Sequence, residues 1–301
     1  MHQTRNCDTM TGEAKGGYAR RACVISIHKE IDNMAIKKMD GSEILLAAHR
    51  GDLKNYPENT LPAFKAALDA GMDMIETDLH MTKDGELVII HDANTLRTTG
   101  FDGVVNEMTL AELKALDAGS WKDEKFTGTR IPTVREFIEL IKDSDMLVNW
   151  ELKDYPTTCG DAWAFECADK LVALIREYGM EKRSMMNSFS DRLLEYIHNK
   201  YGDEYVIHGQ GIYKARRTKD EPEMDEKDFF DWVCVYPEEP GKLAIDFKDN
   251  WDYCNEHGIL TCILLPDTVE NYKKCLEYGC KMFTSNDIHT AEKVMKELGV
   301  R

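Results

Sequence analysis

The chain has 301 residues, a formal net charge of −17 at pH 7 and nine cysteines. This acidic balance disfavours binding to nucleic acid or to an anionic membrane surface, because both partners call for basic patches. No apolar run approaches the roughly 20 residues of a transmembrane helix, so stable membrane insertion is not expected. These properties favour a small or zwitterionic substrate as the partner.

Residues 1–43 are rich in polar and charged side chains and show neither a helical nor a strand period. We interpret them as an N-terminal extension that is disordered or loosely docked. The alternative is a short helix over residues 30–39 that closes the bottom of the following domain. The segment lacks the apolar region of a secretory leader, and the cysteines form no C-x-x-C pair. We therefore expect a cytoplasmic protein with reduced thiols.

From Ile44 onward, short apolar runs alternate with amphipathic stretches. Eight such runs predict strands, at residues 44–48, 73–79, 146–152, 184–189, 205–209, 232–236, 259–265 and 281–284. Alternating βα units at this spacing predict a parallel sheet, and eight of them predict a closed barrel. The predicted fold class is therefore α/β, a TIM (β/α)8 barrel over residues 44–301, a length close to the roughly 250 residues typical of that fold.

Two connections are longer than barrel loops usually are. After the second strand, Lys83-Asp84-Gly85 predicts a tight turn into a further apolar run at residues 87–90. Residues 92–132 follow and contain their own helix near residues 110–116, so we interpret them as a small insertion after the second barrel strand. Residues 214–231 are polar and acidic and predict a surface excursion after strand five.

Reactive side chains stand at the ends of several predicted strands. The first strand ends in His49-Arg50-Gly51, and its loop carries Pro57-Glu58-Asn59-Thr60. Two pairs of ionisable residues, Glu76 with Asp78 and Glu151 with Lys153, are spaced two apart and therefore project from one face of their strand. Because the carboxyl ends of the strands meet at one end of a barrel, we expect these groups to lie close together. The later members of this set are Glu76 with Asp78, His91 with Asp92, and Glu151 with Lys153.

Three carboxylates, those of Glu76, Asp78 and Glu151, would share a confined cavity at that end. Like charges so close cannot all stay ionised without a cation or a proton. An all-oxygen set of ligands suits Mg²⁺ or Ca²⁺ better than zinc, which prefers nitrogen and sulfur. The alternative is a buried ionic network in which Arg50 and Lys153 pair with the carboxylates and no metal is bound.

His49 and His91 are the candidate general acid and base, because imidazole both gives and takes a proton near neutrality. Arg50 and Lys153 are candidates for binding phosphate oxygens. His80 is in phase with Glu76 and Asp78, and the sequence leaves its role open. We interpret the remaining histidines as structural: His28, His198, His208, His257 and His289.

The motifs HRG with PENT, E-x-D, G-x-x-V-x-x-HD and E-x-K, in this order, closely resemble those of the glycerophosphodiester phosphodiesterase family. The resemblance is densest from Ile44 to Lys153. It implies a TIM barrel that hydrolyses glycerophosphodiesters to glycerol 3-phosphate and an alcohol, with a divalent ion held by the residues matching Glu76, Asp78 and Glu151. It also implies a phosphate-binding role for Arg50 and Lys153. Glu58 and Asn59 are interpreted as organisers of the His49 loop.

The second half of the chain departs from the family pattern. Members often carry a W-T-V-N-like run at strand seven and a T-D-x-P-like run at strand eight. Here the matching stretches are T-C-I-L-L-P, from Thr261, and Thr284-Ser285-Asn286-Asp287. The metal and proton-transfer chemistry is expected to survive this change, whereas the pocket for the alcohol is expected to differ.

Other functions also fit these residues. One alternative is a lysophospholipase D acting on single-chain phospholipids, with Phe101, Trp121 and Phe126 either lining a channel or packing within the insertion. Another is a non-catalytic protein that binds phosphodiesters. For the hydrolase, both direct attack by water and attack by a hydroxyl of the substrate to give a cyclic phosphate fit the residues.

Overall fold

The computed structural model describes residues 39–211, 222–237 and 239–301. The strands are β1 (Leu45–His49), β2 (Met74–Met81), β3 (Leu87–Ile89), β4 (Leu147–Leu152), β5 (Ser184–Ser188), β6 (Val206–Gly209), β7 (Trp232–Cys234), β8 (Leu260–Leu264) and β9 (Met282–Ser285). The helices are α1 (Leu61–Asp69), α2 (Leu96–Thr99), α3 (Leu110–Ala115), α4 (Val134–Ile141), α5 (Pro156–Cys159), α6 (Asp161–Tyr178), α7 (Asp191–Tyr201), α8 (Lys248–His257), α9 (Val269–Glu277) and α10 (Ile288–Glu297).

The parallel strands close into a barrel. Their order is β1-β9-β8-β7-β6-β5-β4-β2, and β2 pairs again with β1. The remaining strand, β3, is antiparallel to β2 and outside the closed circuit. The run at residues 87–90 is thus the second arm of a hairpin on β2. The predicted α/β fold, a TIM barrel, is confirmed.

Helix boundaries follow the turn and cap signals of the sequence. The longest of the described helices, α6, begins at Asp161 and ends at Tyr178, and Gly179 follows with a φ of 65°. Glycine adopts this left-handed conformation without a Cβ penalty, which makes it a common residue after a helix. α4 begins with a capping box between Thr133 and Glu136. None of the described helices is long and apolar enough to cross a bilayer.

Apolar side chains form two layers. The outer layer lies between the strands and the helices and contains the aromatic series Phe64, Phe137 and Trp150, with ring centroids 4.4 and 5.5 Å apart. The inner layer fills the barrel near the amino-terminal ends of the strands and includes Leu45, Ala47, Met74, Leu147, Met185, Trp232 and Met282. Side chains alternate along a strand, so the next interior positions are polar residues such as His49, Glu76 and Asn149. The barrel is therefore apolar at its bottom and polar at its mouth.

The end of the predicted N-terminal extension lies against the barrel bottom. Met39 is 6% exposed and packs with the inner layer, and its carbonyl oxygen accepts a hydrogen bond of 3.1 Å from Trp232 Nε1. Residues 1–38, and with them the choice between a loose extension and a helix over residues 30–39, lie outside the described residues.

The insertion after β3 has a small core of its own. That core is formed by Val88, Ile90, Val105, Leu113, Ala118 and Ile131. Phe101 and Trp121 are 50% and 38% exposed and lie outside it, whereas the Phe126 ring packs 5.5 Å from that of Tyr56.

The connection before β7 is only partly described. In the part of residues 214–231 that is described, Phe229 and Phe230 are buried. The prediction of a surface excursion is wrong for this end of the segment, because its aromatic pair packs into the outer layer.

We predict that Met39→Ala lowers the free energy of unfolding by about 2 kcal/mol or more, because it leaves a cavity at the barrel bottom. Urea denaturation measures the change. Met39→Leu conserves volume and is the matched control, with an expected loss of less than about 1.5 kcal/mol. Equal stability of the Ala and Leu variants would contradict a closing role for this side chain.

Candidate active site

Three carboxylates meet at the mouth of the barrel. Strand pairing sets Asp78 of β2 beside Glu151 of β4, and His49 of β1 beside Glu76 of β2. One carboxylate oxygen from each of Glu76, Asp78 and Glu151 lies within 4.8 Å of the others, and all three residues are buried. The structure thus brings together the three residues predicted as metal ligands.

Two cations lie among these carboxylates. Lys153 Nζ is 3.0 Å from Asp78 Oδ1 and also pairs with Glu151, and Arg50 Nε is 3.1 Å from Asp78 Oδ2. These are the ion pairs of the metal-free alternative. They account for Asp78 and Glu151 but not for Glu76, whose buried Oε1 accepts no hydrogen bond. Three acidic groups face two basic ones, so the cluster carries an excess of negative charge.

The pKa values of the carboxyl groups reflect this excess. Burial, together with the charges of Asp78 and Glu151, raises the pKa of Glu76 well above its usual value. Burial raises the pKa of Glu151 to about 7, although Lys153 opposes the shift. Burial alone would also raise the pKa of Asp78, but Lys153 and Arg50 outweigh it and hold that pKa below its ordinary range. The cluster therefore favours one more positive charge, from a proton or a cation.

The donor set fits a hard divalent cation. Every candidate ligand atom is a carboxylate oxygen, and the unbonded Oε1 of Glu76 is the kind of atom that a cation would satisfy. Mg²⁺ and Ca²⁺ both take such ligands, whereas the described part of the chain places no cysteine or histidine among the three.

The loop after β1 requires glycine at position 51. Gly51 has a φ of 85°, and a Cβ there would lie 2.7 Å from the backbone carbonyl carbon of Ala63. Arg50 itself has a φ of 56°, an uncommon conformation for a side chain of its size. Its backbone N–H donates to the carbonyl oxygen of Glu76 at 2.9 Å. This strained turn directs the guanidinium back over the mouth of the barrel.

The Pro-Glu-Asn-Thr stretch fastens that turn. Asn59 also has a positive φ, 55°, and its side chain donates to Asp78 Oδ2 at 2.7 Å. Its backbone N–H donates to the carbonyl oxygen of Arg50 at 3.0 Å. Glu58 accepts a hydrogen bond of 2.9 Å from Arg50 Nη1 and pairs with Arg97 of α2 at 2.7 Å. Both residues thus contact Arg50, as organisers of this loop would.

His49 is oriented by an uncharged partner. Its Nδ1 lies 2.5 Å from the side-chain oxygen of Asn286, and its Nε2 lies 3.8 Å from Glu76 Oε2. The amide oxygen can only accept, so Nδ1 carries the hydrogen and Nε2 of the neutral ring faces the carboxylates. Burial, followed by the charge of Arg50, lowers the pKa of His49 to about 4.

His91 is oriented by a charged partner. Its Nδ1 lies 2.6 Å from Asp92 Oδ1, and Asp92 Oδ2 accepts from Arg97 Nε at 2.6 Å. Burial lowers the pKa of His91, and the carboxylates of Asp78 and Asp92 oppose that shift. A chain of contacts therefore connects the two histidine loops through Arg50, Glu58, Arg97 and Asp92.

Two residues contact this site although no sequence pattern assigns them a role. Asn286 bonds to His49 from a stretch that departs from the family pattern, and Arg97 bonds to Glu58 from the insertion. His80 is bonded to Asp154, with 2.6 Å between Nδ1 and Oδ1. His208 is buried between Asn149 and Cys262, and burial lowers its pKa to about 3. These contacts suit the structural role expected of His208.

The sequence matches the model of the Glycerophosphoryl diester phosphodiesterase family over residues 49–290. The Glycerophosphodiester phosphodiesterase of Caldanaerobacter subterraneus is 49% identical over 150 residues, which cover 48% of this chain and 58% of the relative. That of Bacillus altitudinis is 38% identical over 156 residues, covering 50% and 60%. The alignments thus span about three fifths of these relatives.

Solved structures agree in fold. A putative glycerophosphoryl diester phosphodiesterase from Silicibacter pomeroyi has a TM-score of 0.72 at 22% identity and covers 86% of this chain and 95% of its own. An Oleispira antarctica phosphodiesterase, in complex with the product sn-glycerol-3-phosphate, has a TM-score of 0.70 at 24% identity and covers 84% and 96%. The family match runs from His49 into α10 and covers well over half of the chain. This protein belongs to the glycerophosphoryl diester phosphodiesterase family.

Proposed function

We propose that this protein hydrolyses glycerophosphodiesters to sn-glycerol 3-phosphate and an alcohol, with Mg²⁺ or Ca²⁺ at Glu76, Asp78 and Glu151. One observation carries the proposal, namely a buried carboxylate cluster with excess negative charge that lies beside an oriented imidazole and two cations. Family membership supports the reaction, and the product bound to the Oleispira relative supports the substrate class.

The cationic side chains supply the phosphate subsite. Arg50 and Lys153 both reach Asp78 from the mouth of the barrel, where a phosphodiester would meet them. A guanidinium and an ammonium stabilise the negative charge that develops on phosphoryl oxygens during the displacement. When bound, the divalent ion would neutralise the carboxylates and polarise the phosphate.

The two histidines take different proton-transfer roles. The attacking hydroxyl, of water or of the substrate's own glycerol, forms a bond from its oxygen to phosphorus, and His49, neutral and held by an amide, accepts its proton at Nε2. The bond from phosphorus to the departing alcohol breaks, and the alkoxide takes a proton from His91. The carboxylate of Asp92 stabilises the imidazolium that must hold this proton, as in other histidine–carboxylate pairs. A binding protein without catalysis would need neither imidazole.

Release of sn-glycerol 3-phosphate from a panel of glycerophosphodiesters tests the proposal. We expect turnover of glycerophosphocholine or glycerophosphoethanolamine with Mg²⁺ or Ca²⁺ and none after EDTA. Because the carboxylates repel one another without a cation, we also expect the metal to raise the melting temperature. Glu76→Gln is the matched variant, which should be inactive and should lose that rise. Turnover and melting temperature both indifferent to EDTA would contradict the metal assignment.

Replacing either histidine by alanine should lower kcat on the natural diester by roughly 10²-fold or more, as loss of a general acid or base usually does. A nitrophenyl phosphodiester separates the roles, because nitrophenolate departs without a proton. It should restore turnover to His91→Ala and not to His49→Ala. The surface variant His257→Ala should keep the wild-type rate on both substrates. Restoration of His49→Ala alone would reverse the assignment of the two roles.

A second candidate function is cleavage of single-chain phospholipids. A cavity of about 740 Å³ lies beside His91 and includes Leu96 in its lining. Leu96 is 53% exposed, and Phe101 of the same insertion is 50% exposed. Exposed apolar side chains at a substrate cavity favour a ligand with an acyl chain.

Lysophosphatidylcholines of increasing chain length test this second function. If the chain follows Leu96, kcat/KM should rise with length, and Leu96→Asp should remove that rise while leaving glycerophosphocholine turnover unchanged. No cleavage at any length would exclude it. The cytoplasmic location expected from the sequence stays a prediction.

A further inference from the structure

His80 is a buried histidine that the proposed chemistry does not use. It lies on β2, two residues beyond Asp78, and is 3% exposed. Its two ring nitrogens contact different parts of the site. Nδ1 lies 2.6 Å from Asp154 Oδ1, and Nε2 lies 3.3 Å from the backbone carbonyl oxygen of His91. The ring therefore spans the distance from the end of β4 to the loop after β3.

Asp154 holds this ring in one orientation. Its second oxygen, Oδ2, accepts hydrogen bonds of 2.9 Å from the backbone N–H of Met81 and from Trp163 Nε1 of α6. The carboxylate is thus fixed by three donors from β2 and α6. With Nδ1 of His80 bound to Oδ1, its Nε2 is directed at His91.

The loop that carries His91 depends on such backbone support. β3 ends at Ile89, and the backbone N–H of Ile90 donates to the carbonyl oxygen of Asp78 at 3.0 Å. The side chain of His91 is 32% exposed, as is that of its partner Asp92. Dense packing therefore does not fix the imidazole: Asp92 orients the ring, and the backbone of the loop places the Cα from which the ring extends.

We propose that His80 and Asp154 form a positioning pair that sets the backbone at His91 and thereby aims its imidazole at the departing alcohol. This inference rests on the proposed function only in that it takes His91 to be catalytic. Displacement of a reacting group by about 1 Å costs roughly 10²-fold in rate. The pair therefore acts on kcat, through His91, and hardly on substrate binding.

Steady-state kinetics of His80→Ala and Asp154→Asn test the proposal. We expect kcat on the natural diester to fall by roughly 10-fold to 10²-fold with little change in KM. The loss of kcat should be smaller on the nitrophenyl diester, because its leaving group does not need the proton of His91. His80→Gln keeps an N–H donor and should recover part of the rate. The control Trp163→Phe removes a donor to the same carboxylate but leaves both contacts of His80, so it should lower stability and not kcat.

A double-mutant cycle separates positioning from general structural support. If His80 acts through His91, adding His80→Ala to His91→Ala should cost no further rate, whereas independent effects would multiply. Multiplying effects, or a His80→Ala enzyme with normal kcat, would overturn the inference.

Crystal structures of wild type and His80→Ala give a readout that does not need activity. We expect the His91 ring to be displaced or multiply oriented in the variant and unchanged in Trp163→Phe. An unmoved His91 in His80→Ala would overturn the positioning pair. A wild-type enzyme that cleaves no diester would instead overturn the proposed function.

Discussion

The burial of three carboxylates with only two cations is the constraint on which the mouth of this barrel depends. Charges removed from water are costly unless they are paired. Arg50 and Lys153 pair with Asp78, and Lys153 also pairs with Glu151. This arrangement leaves Oε1 of Glu76 without a hydrogen-bond donor. An ionic network with excess negative charge is destabilising without a further cation, and this excess is the basis on which we propose a metal site.

Holding this network requires backbone conformations that ordinary loops avoid. Arg50 and Asn59 have positive φ values, and each is tied to Asp78 by its side chain. Such conformations persist only when their surroundings over-determine them. Here those surroundings include Gly51, which passes too close to Ala63 for any side chain. The strain is therefore concentrated in the single loop between β1 and α1, which follows His49 and carries Arg50.

Much of the fold and the first contacts of the site can be predicted from the sequence because they rest on local periodicity. Short apolar runs mark the strands, Gly179 marks the end of α6, and the two-residue spacing of Glu76 and Asp78 fixes their common face. The contacts that orient the histidines of the site cannot be predicted from such local patterns. Asn286 lies 237 positions from His49, and His80 lies 74 positions from Asp154. Spacing along the chain does not say which polar groups at the strand ends will touch.

The structure of the insertion is also only partly predictable from the sequence. The sequence leaves Phe101, Trp121 and Phe126 either lining a channel or packing within the insertion. It does not reveal that the core of the insertion forms without Phe101, which stays exposed. Nor does it reveal the contacts of Arg97, whose guanidinium joins Glu58 to Asp92. A single cation of the insertion thus connects the loops of both proposed proton-transfer residues.

That position of Arg97 has a consequence for how the sequence of this protein can change. We expect the rest of the insertion, after α2, to accept changes of length and sequence more readily, provided that its small core and its contacts with the loop after β1 are rebuilt. α2 is less free to change, because removing Arg97 takes away the guanidinium that pairs with both Glu58 and Asp92, although Glu58 keeps its pair with Arg50. Grafts that alter substrate range should therefore begin after α2. Arg97 therefore belongs with the barrel loops that it joins, although it lies within the insertion.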